Sequence, residues 1–184
     1  ARMAQVHGTR VAEAPADGPV APETDALLTA DPGWAVSGLG ADCCLVFLHD
    51  PRSCAVGIVH AGWRGTARRV VALAVARMAE AWGSLPGEML AGVSPGIGPC
   101  CYEVGPEVAE AFPDAGPGRL RRRGKTFRLD LPGLLADQLR EAGLAAGRIE
   151  TVDLCTACRP EGFFSHRRDG ARTGRQGGFA GPPG

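Results

Sequence analysis

Residues 43–61 read CCLVFLHDPRSCAVGIVHA. Two apolar runs flank the turn-forming DPRS, a pattern that predicts a β-hairpin with arms at 42–50 and 54–61. The first arm carries Cys43 at its start and the second carries His60 at its end. A turn at 50–53 sets those two residues nearly opposite each other. Directly paired Cβ atoms lie about 4.5–5.5 Å apart, close enough for a thiolate and an imidazole to share one metal ion or one proton. His7, in QVHG, reads as standing at the end of another strand.

Outward from the hairpin, short β-like runs alternate with helical ones. GWRG turns the chain into the strongest helix, expected over 66–82, with Val70, Leu73, Ala74 and Met78 on one face and Gly83 and Pro86 as stops. Upstream, AQVHG reads as a strand and 14–25, APADGPVAPETD, as a loop. Downstream come a strand in EMLAGVSP, the Gly/Pro-rich SPGIGPCCYEVG and a short helix, PEVAEAF. RRRGKTFRLDL reads as a basic turn and a strand, with RLRRRGK at 119–125 a solvated turn. LPGLLADQLREAGL is an amphipathic helix ended by Gly143, and RIETVDLC is a further strand. The polar, arginine-rich tail is expected to fray over 179–184. With no repeats and no shift in composition, 1–184 reads as one domain of α/β or α+β class, a layered sandwich.

Composition narrows the function classes. A hydrophobic fraction of 45% supports a full core, and a net charge of zero offers neither a nucleic-acid footprint nor a polybasic membrane surface. Lys125 is the only lysine among many arginines, which reads as genome composition. No run of about 18 apolar residues is present, and ARMAQVHGTR lacks the apolar centre of a signal peptide. Seven cysteines, an odd number with two adjacent pairs, suit reduced thiols in a cytoplasm better than a disulfide framework. Cys100 and Cys101 read as buried packing, and Cys155-x-x-Cys158 as structural, with no second pair at a zinc-ribbon distance in sequence.

Two imidazoles and a thiolate with a fourth position open are the makings of a catalytic zinc site. Spacing alone admits the plainer alternative of polar strand histidines and a core thiol. QVHG, ADCCLV, VHAGWRGT, SPGIGPCCYEVG and FFSHRRDGARTGRQ together resemble the YfiH family, also called laccase-domain or multicopper polyphenol oxidase proteins, from residue 5 to about residue 178. The resemblance implies two mixed β-sheets flanked by helices, a fold shared with Cys–His hydrolases of the cytotoxic-necrotizing-factor type. It implies His7, Cys43 and His60 as metal ligands. It also implies phosphorolysis of purine nucleosides, including methylthioadenosine, with adenosine deamination. Members usually carry a further N-terminal portion ahead of QVHG, which this chain is expected to lack.

The laccase label itself sits badly with the residues. A multicopper cluster needs many imidazoles, and this chain has only His7, His49, His60 and His166. Zinc is therefore the expected ion, with copper able to displace it. Arg64, at the entry to the long helix, is the first candidate for holding phosphate, with Gln5, Arg167 and Arg168 as further substrate contacts. The zinc-deaminase signature H-x-E with P-C-x-x-C is absent, which leaves Glu103 and Asp42 as proton-shuttle candidates. Two other readings stay open: a metal-independent hydrolase with Cys43 as nucleophile and His60 as base, acting for example on peptidoglycan precursors, and a non-catalytic metal- or partner-binding module. Small-molecule substrates are expected, with neither nucleic acid nor membrane; the oligomeric state is open.

Overall fold

The computed structural model describes residues 1–14 and 18–183. Thirteen strands and five helices follow in chain order among them. The strands are β1 (Arg2–Met3), β2 (Val11–Glu13), β3 (Val20–Ala21), β4 (Ala26–Thr29), β5 (Val36–Gly40), β6 (Cys44–His49), β7 (Val56–Ala61), β8 (Leu90–Val93), β9 (Glu103–Val104), β10 (Leu120–Arg123), β11 (Thr126–Leu129), β12 (Ile149–Thr151) and β13 (Gln176–Ala180). The helices are α1 (Trp63–Ala67), α2 (Val70–Trp82), α3 (Pro106–Ala109), α4 (Leu131–Glu141) and α5 (His166–Asp169).

The hairpin at 43–61 is the middle of the molecule. β6 and β7 are the central pair of a mixed six-stranded sheet ordered β12-β8-β6-β7-β4-β2. Period-2 alternation sends Cys44, Val46, Val59 and Ala61 to one face, where they join Val71, Val75 and Met78 of α2 and Leu135 and Leu139 of α4. Leu45 and Ile58 point to the other face, against Met3 and Val36 of a mixed four-stranded sheet ordered β13-β5-β1-β3. The result is three layers: helices, six-stranded sheet, four-stranded sheet. Two mixed sheets with helices are thus the observed α+β architecture. A small antiparallel sheet, β10-β11-β9, packs Val104 and Leu129 with α3 beside it.

Several elements differ from expectation. The helix expected over 66–82 is broken by Arg69, whose left-handed φ of 60° separates α1 from α2. Leu73 is 45% exposed, and Val71 and Val75 take its place in the core. α2 stops at Gly83, whose φ of 66° suits the left-handed cap. At α4 the Asp130 carboxylate accepts from Gly133 N at 3.1 Å and caps the helix.

The basic run at 119–125 is mostly strand β10 of a hairpin, because Arg121 to Arg123 pair with Arg128 to Thr126. QVHG is a loop; the strand before it ends at Met3. Within the expected loop at 14–25, Val20–Ala21 pairs with β1, and residues 15–17 lie outside the described residues. β13 reaches Ala180 through pairing with β5, two residues into the stretch expected to fray, and residue 184 lies outside the description.

Candidate metal centre

His7, Cys43 and His60 come together with their ligand atoms all within 4.8 Å of one another. The hairpin delivers two of them, two residues out of the expected register. His60 pairs with Leu45, not with Cys43, and Cys44 pairs with Ala61. A slip of two residues keeps every side chain on its face, so Cys43 remains on the same side as His60, diagonally across from it. Gly62 fills the position opposite Cys43. A Cβ on Gly62 would lie 2.8 Å from Cys43 Sγ and 3.2 Å from His7 Cδ2, so the glycine makes room for the sulfur and the second imidazole. The imidazole rings meet edge to face, centroids 4.9 Å apart at 75°.

Asp25 organises the two histidines, and nothing in the sequence pattern singled it out. β4 pairs with β7 through Ala26↔Val59, which puts the residue before β4 beside His60. Asp25 is fully buried, and its Oδ1 lies 2.8 Å from His60 Nδ1. The same carboxylate accepts from the backbone N–H groups of Val6 (3.1 Å), His7 (3.0 Å) and Gly8 (2.7 Å). That clasp holds His7 at its left-handed φ of 58°, and Arg68 Nη2 donates to His7 O at 2.9 Å from the other side. With Nδ1 engaged by Asp25, Nε2 is the His60 nitrogen left for a metal, the carboxylate–histidine arrangement that fixes tautomer and ring orientation.

Electrostatics match the geometry. Burial opposes ionisation of Cys43, but hydrogen bonds from His60 and His7 outweigh it and bring the thiol down to about 7. Burial likewise opposes charge on His60, yet the Asp25 and Cys43 hydrogen bonds raise it to about 9. Burial opposes charge on Asp25 too, and the bonds from His60, Gly8 and Val6 hold it below the ordinary carboxylate value. The donor set fits a metal: one thiolate, two imidazoles, a carboxylate bonded to the far nitrogen of one imidazole, and one open side.

That open side is a cavity of about 350 Å³ lined by Gln5, His7, Gly40, Cys43 and His60 and flanked by Arg2 and Arg175. Several residues expected to bind substrate are engaged elsewhere. Gln5 uses both ends of its amide on Leu39, donating to its O at 2.7 Å and accepting from its N at 2.9 Å. The Arg168 guanidinium forks onto Asp169 at 2.7 and 2.8 Å and also donates to Thr156 O and Phe163 O. Arg64 lies over the Trp63 ring at 4.4 Å. It heads the five-residue α1, because the break at Arg69 removes it from the long helix.

Arg167 donates through Nη1 to Glu103 O at 2.6 Å and lies over the Tyr102 ring at 5.2 Å. Burial first, then the nearby Cys43, push the Tyr102 phenol up to about 12. The proton-shuttle candidates are also occupied: Glu103 pairs with Arg128 at 3.0 Å, and both Asp42 oxygens accept, from Thr156 Oγ1 and Arg167 N. His49 ends β6 and His166 begins α5, so neither joins the pair at the centre.

Comparison with known proteins gives the family. Residues 1–182 match the family described as multi-copper polyphenol oxidoreductase laccase. The chain belongs to that family. Among the laccase-type relatives, a purine nucleoside phosphorylase of Deinococcus radiodurans is 40% identical over the whole of this chain and 70% of its own length. Purine nucleoside phosphorylase YlmD of Bacillus subtilis is 35% identical over 86% of this chain, and purine nucleoside phosphorylase LACC1 of Homo sapiens is 32% identical over 84%. The chain spans 58% and 37% of those two relatives. The crystal structure of YfiH from Bacillus licheniformis superposes with a TM-score of 0.94 at 32% identity, over 98% of this chain and 73% of that one. Among the described residues, no helix is long and apolar enough to cross a membrane.

Proposed function

We propose that this chain is a zinc-dependent purine nucleoside phosphorylase whose centre is His7, Cys43 and His60. The convergence of these three donors on one side of an open cavity carries the reading, and the names of the relatives supply the substrate class. The substrates are adenosine, inosine and methylthioadenosine, with deamination of adenosine as a second activity. Zinc held there supplies Lewis acidity for polarising an oxygen or activating water. Copper binds such an N/S set more tightly than zinc, so copper in an isolated sample reflects availability.

The chain's own groups divide the remaining work. Asp25 keeps His60 Nδ1 engaged and the ring aimed at Cys43. Arg2 and Arg175 flank the cavity and give it the positive charge that draws phosphate in. An oxygen of hydrogen phosphate bonds to the anomeric carbon as the bond to the purine nitrogen breaks, and the released base takes up the proton that the phosphate gives up. Incubating the protein with each nucleoside, with and without phosphate, tests this by chromatography. Free base and ribose 1-phosphate, or methylthioribose 1-phosphate from methylthioadenosine, should appear only with phosphate, and not with His60→Ala. Base release that ignores phosphate rejects phosphorolysis.

One observation favours a second reading. Asp25, His60 and Cys43 form a carboxylate–imidazole–thiol chain, with the Asp25–His60 link at 2.8 Å. That is the constellation of a Cys–His hydrolase needing no metal. Alkylation of Cys43 that abolishes turnover by metal-free protein would favour it; turnover that returns only with zinc would reject it.

A further inference from the structure

Two cysteine pairs far apart in sequence meet at the edge of the six-stranded sheet, in a group separate from the His7–Cys43–His60 centre. Cys100 and Cys101 lie in the loop after β8, and Cys155 and Cys158 bracket a single helical turn after β12. β12 and β8 run parallel, from Ile149↔Ala91 to Thr151↔Val93, so both loops leave the sheet in the same direction. A further parallel bridge, Gly96↔Cys155, keeps them side by side. All four sulfurs consequently lie within 4.8 Å of one another. Cys101 Sγ is 3.3 Å from Cys158 Sγ, and Cys100 Sγ is 3.6 Å from it.

We infer that Cys100, Cys101, Cys155 and Cys158 bind one zinc ion as a closed tetrathiolate site. Tetrahedral zinc with sulfur at about 2.3 Å sets neighbouring sulfurs roughly 3.8 Å apart, and the observed separations need only a slight expansion to match. No imidazole or carboxylate belongs to the group, and an all-sulfur set selects zinc over the hard cations. Gly98 N donates to Cys155 Sγ at 3.3 Å, the kind of N–H bond that orients and supports a metal-bound thiolate. A disulfide accounts for the cluster less well. A Cys101–Cys158 bridge would leave Cys100 and Cys155 to pair with each other, whereas one zinc ion engages all four sulfurs at once.

Such an ion ties the β8 loop to the β12 loop immediately beside the first centre. Thr156, between the two ligands of the second pair, donates to Asp42 Oδ1 at 2.6 Å, and Asp42 precedes Cys43. Arg168 Nη1 donates to Thr156 O at 3.0 Å. The four-sulfur site therefore acts as a staple that positions Asp42 and the 163–172 loop. With four protein ligands and no open coordination position, it takes no part in the chemistry.

Cobalt(II) added anaerobically to reduced, metal-free protein tests the site without reference to activity. His60→Ala should still bind a single strong equivalent, with intense sulfur-to-cobalt charge transfer and tetrahedral visible bands. Cys100→Ser combined with Cys158→Ser, at two exposed positions, should lose that spectrum. Its remaining charge-transfer intensity should be weaker roughly fourfold, in proportion to one thiolate against four. Zinc should raise the melting temperature of His60→Ala, and should do so far less when His60→Ala also carries the two serine substitutions. Charge transfer that is the same in both variants overturns the inference. So does freshly isolated protein with a Cys101–Cys158 disulfide and no metal at the cluster.

Discussion

The two sulfur-bearing clusters of this chain sit on neighbouring loops and are built to opposite rules. The His7–Cys43–His60 group mixes one sulfur with two imidazoles, rests on a fully buried carboxylate and opens onto a cavity of about 350 Å³. The Cys100–Cys101–Cys155–Cys158 group is all sulfur, includes two exposed members and has no carboxylate or imidazole among its members. A mixed, three-donor set whose imidazole is held by a buried carboxylate suits an ion that meets substrate; an all-thiolate set suits an ion that only holds loops together. The difference teaches where to expect loss of chemistry and where to expect loss of stability.

The largest separation between the two clusters should come from Asp25→Asn. It keeps the shape of the side chain but removes the charge that His60 Nδ1 and three backbone N–H groups share. Metal affinity at the first centre should fall about 10–100-fold, the usual cost of losing the carboxylate that holds a ligand histidine. Competition with a chromophoric chelator measures it, and the four-cysteine site should be unaffected.

Gly62→Ala comes next. Its new Cβ would press on Cys43 Sγ at 2.8 Å, and displacing the sulfur should cost about 1–3 kcal/mol of stability or an equivalent share of metal affinity. A calorimetric titration with zinc together with a thermal melt partitions the two. An unchanged affinity and melting point would mean that the sulfur is not seated where the geometry puts it.

Gln5→Ala sharpens the contrast between scaffold and substrate contact. It removes two hydrogen bonds to Leu39, so it should lower stability by about 1–2 kcal/mol and leave the KM for nucleoside within twofold. A raised KM with an unchanged melting point would restore Gln5 as a substrate ligand.

The smallest effect is expected at an ion pair that belongs to neither cluster. The Arg119 hydrogen bonds hold Asp137 below the ordinary carboxylate value. A depressed folded-state pKa contributes stability above the unfolded value, and that contribution is lost as pH falls through the folded one. The melting-point difference between wild type and Asp137→Asn should therefore be small near neutrality and vanish in acid.

How much of this was legible in sequence depends on how local the determinant is. The hairpin at 43–61 showed through two apolar runs about the turn-forming DPRS, and its side-chain faces survived a two-residue error in register because the pleat repeats every two residues. The error arose in the turn: Asp50 N bonds Ala55 O, and Cys54 adopts a left-handed φ of 58°, so the loop is longer than DPRS suggests. The helix break was hidden because it falls on Arg69, which carries none of the usual breaker chemistry. Asp25 lay in a Pro-rich stretch that reads as loop, and only the β4–β7 pairing brings it to His60. The four cysteines were invisible as a group because a parallel pairing of β8 with β12, the least local contact in the sheet, unites them.

Metal-free wild-type protein titrated with zinc while adenine release is followed in phosphate tests the central claim most directly. Release should be absent without zinc, recover as zinc is added, and stay absent in His60→Ala at any zinc concentration. Undiminished phosphorolysis by metal-free protein would contradict it.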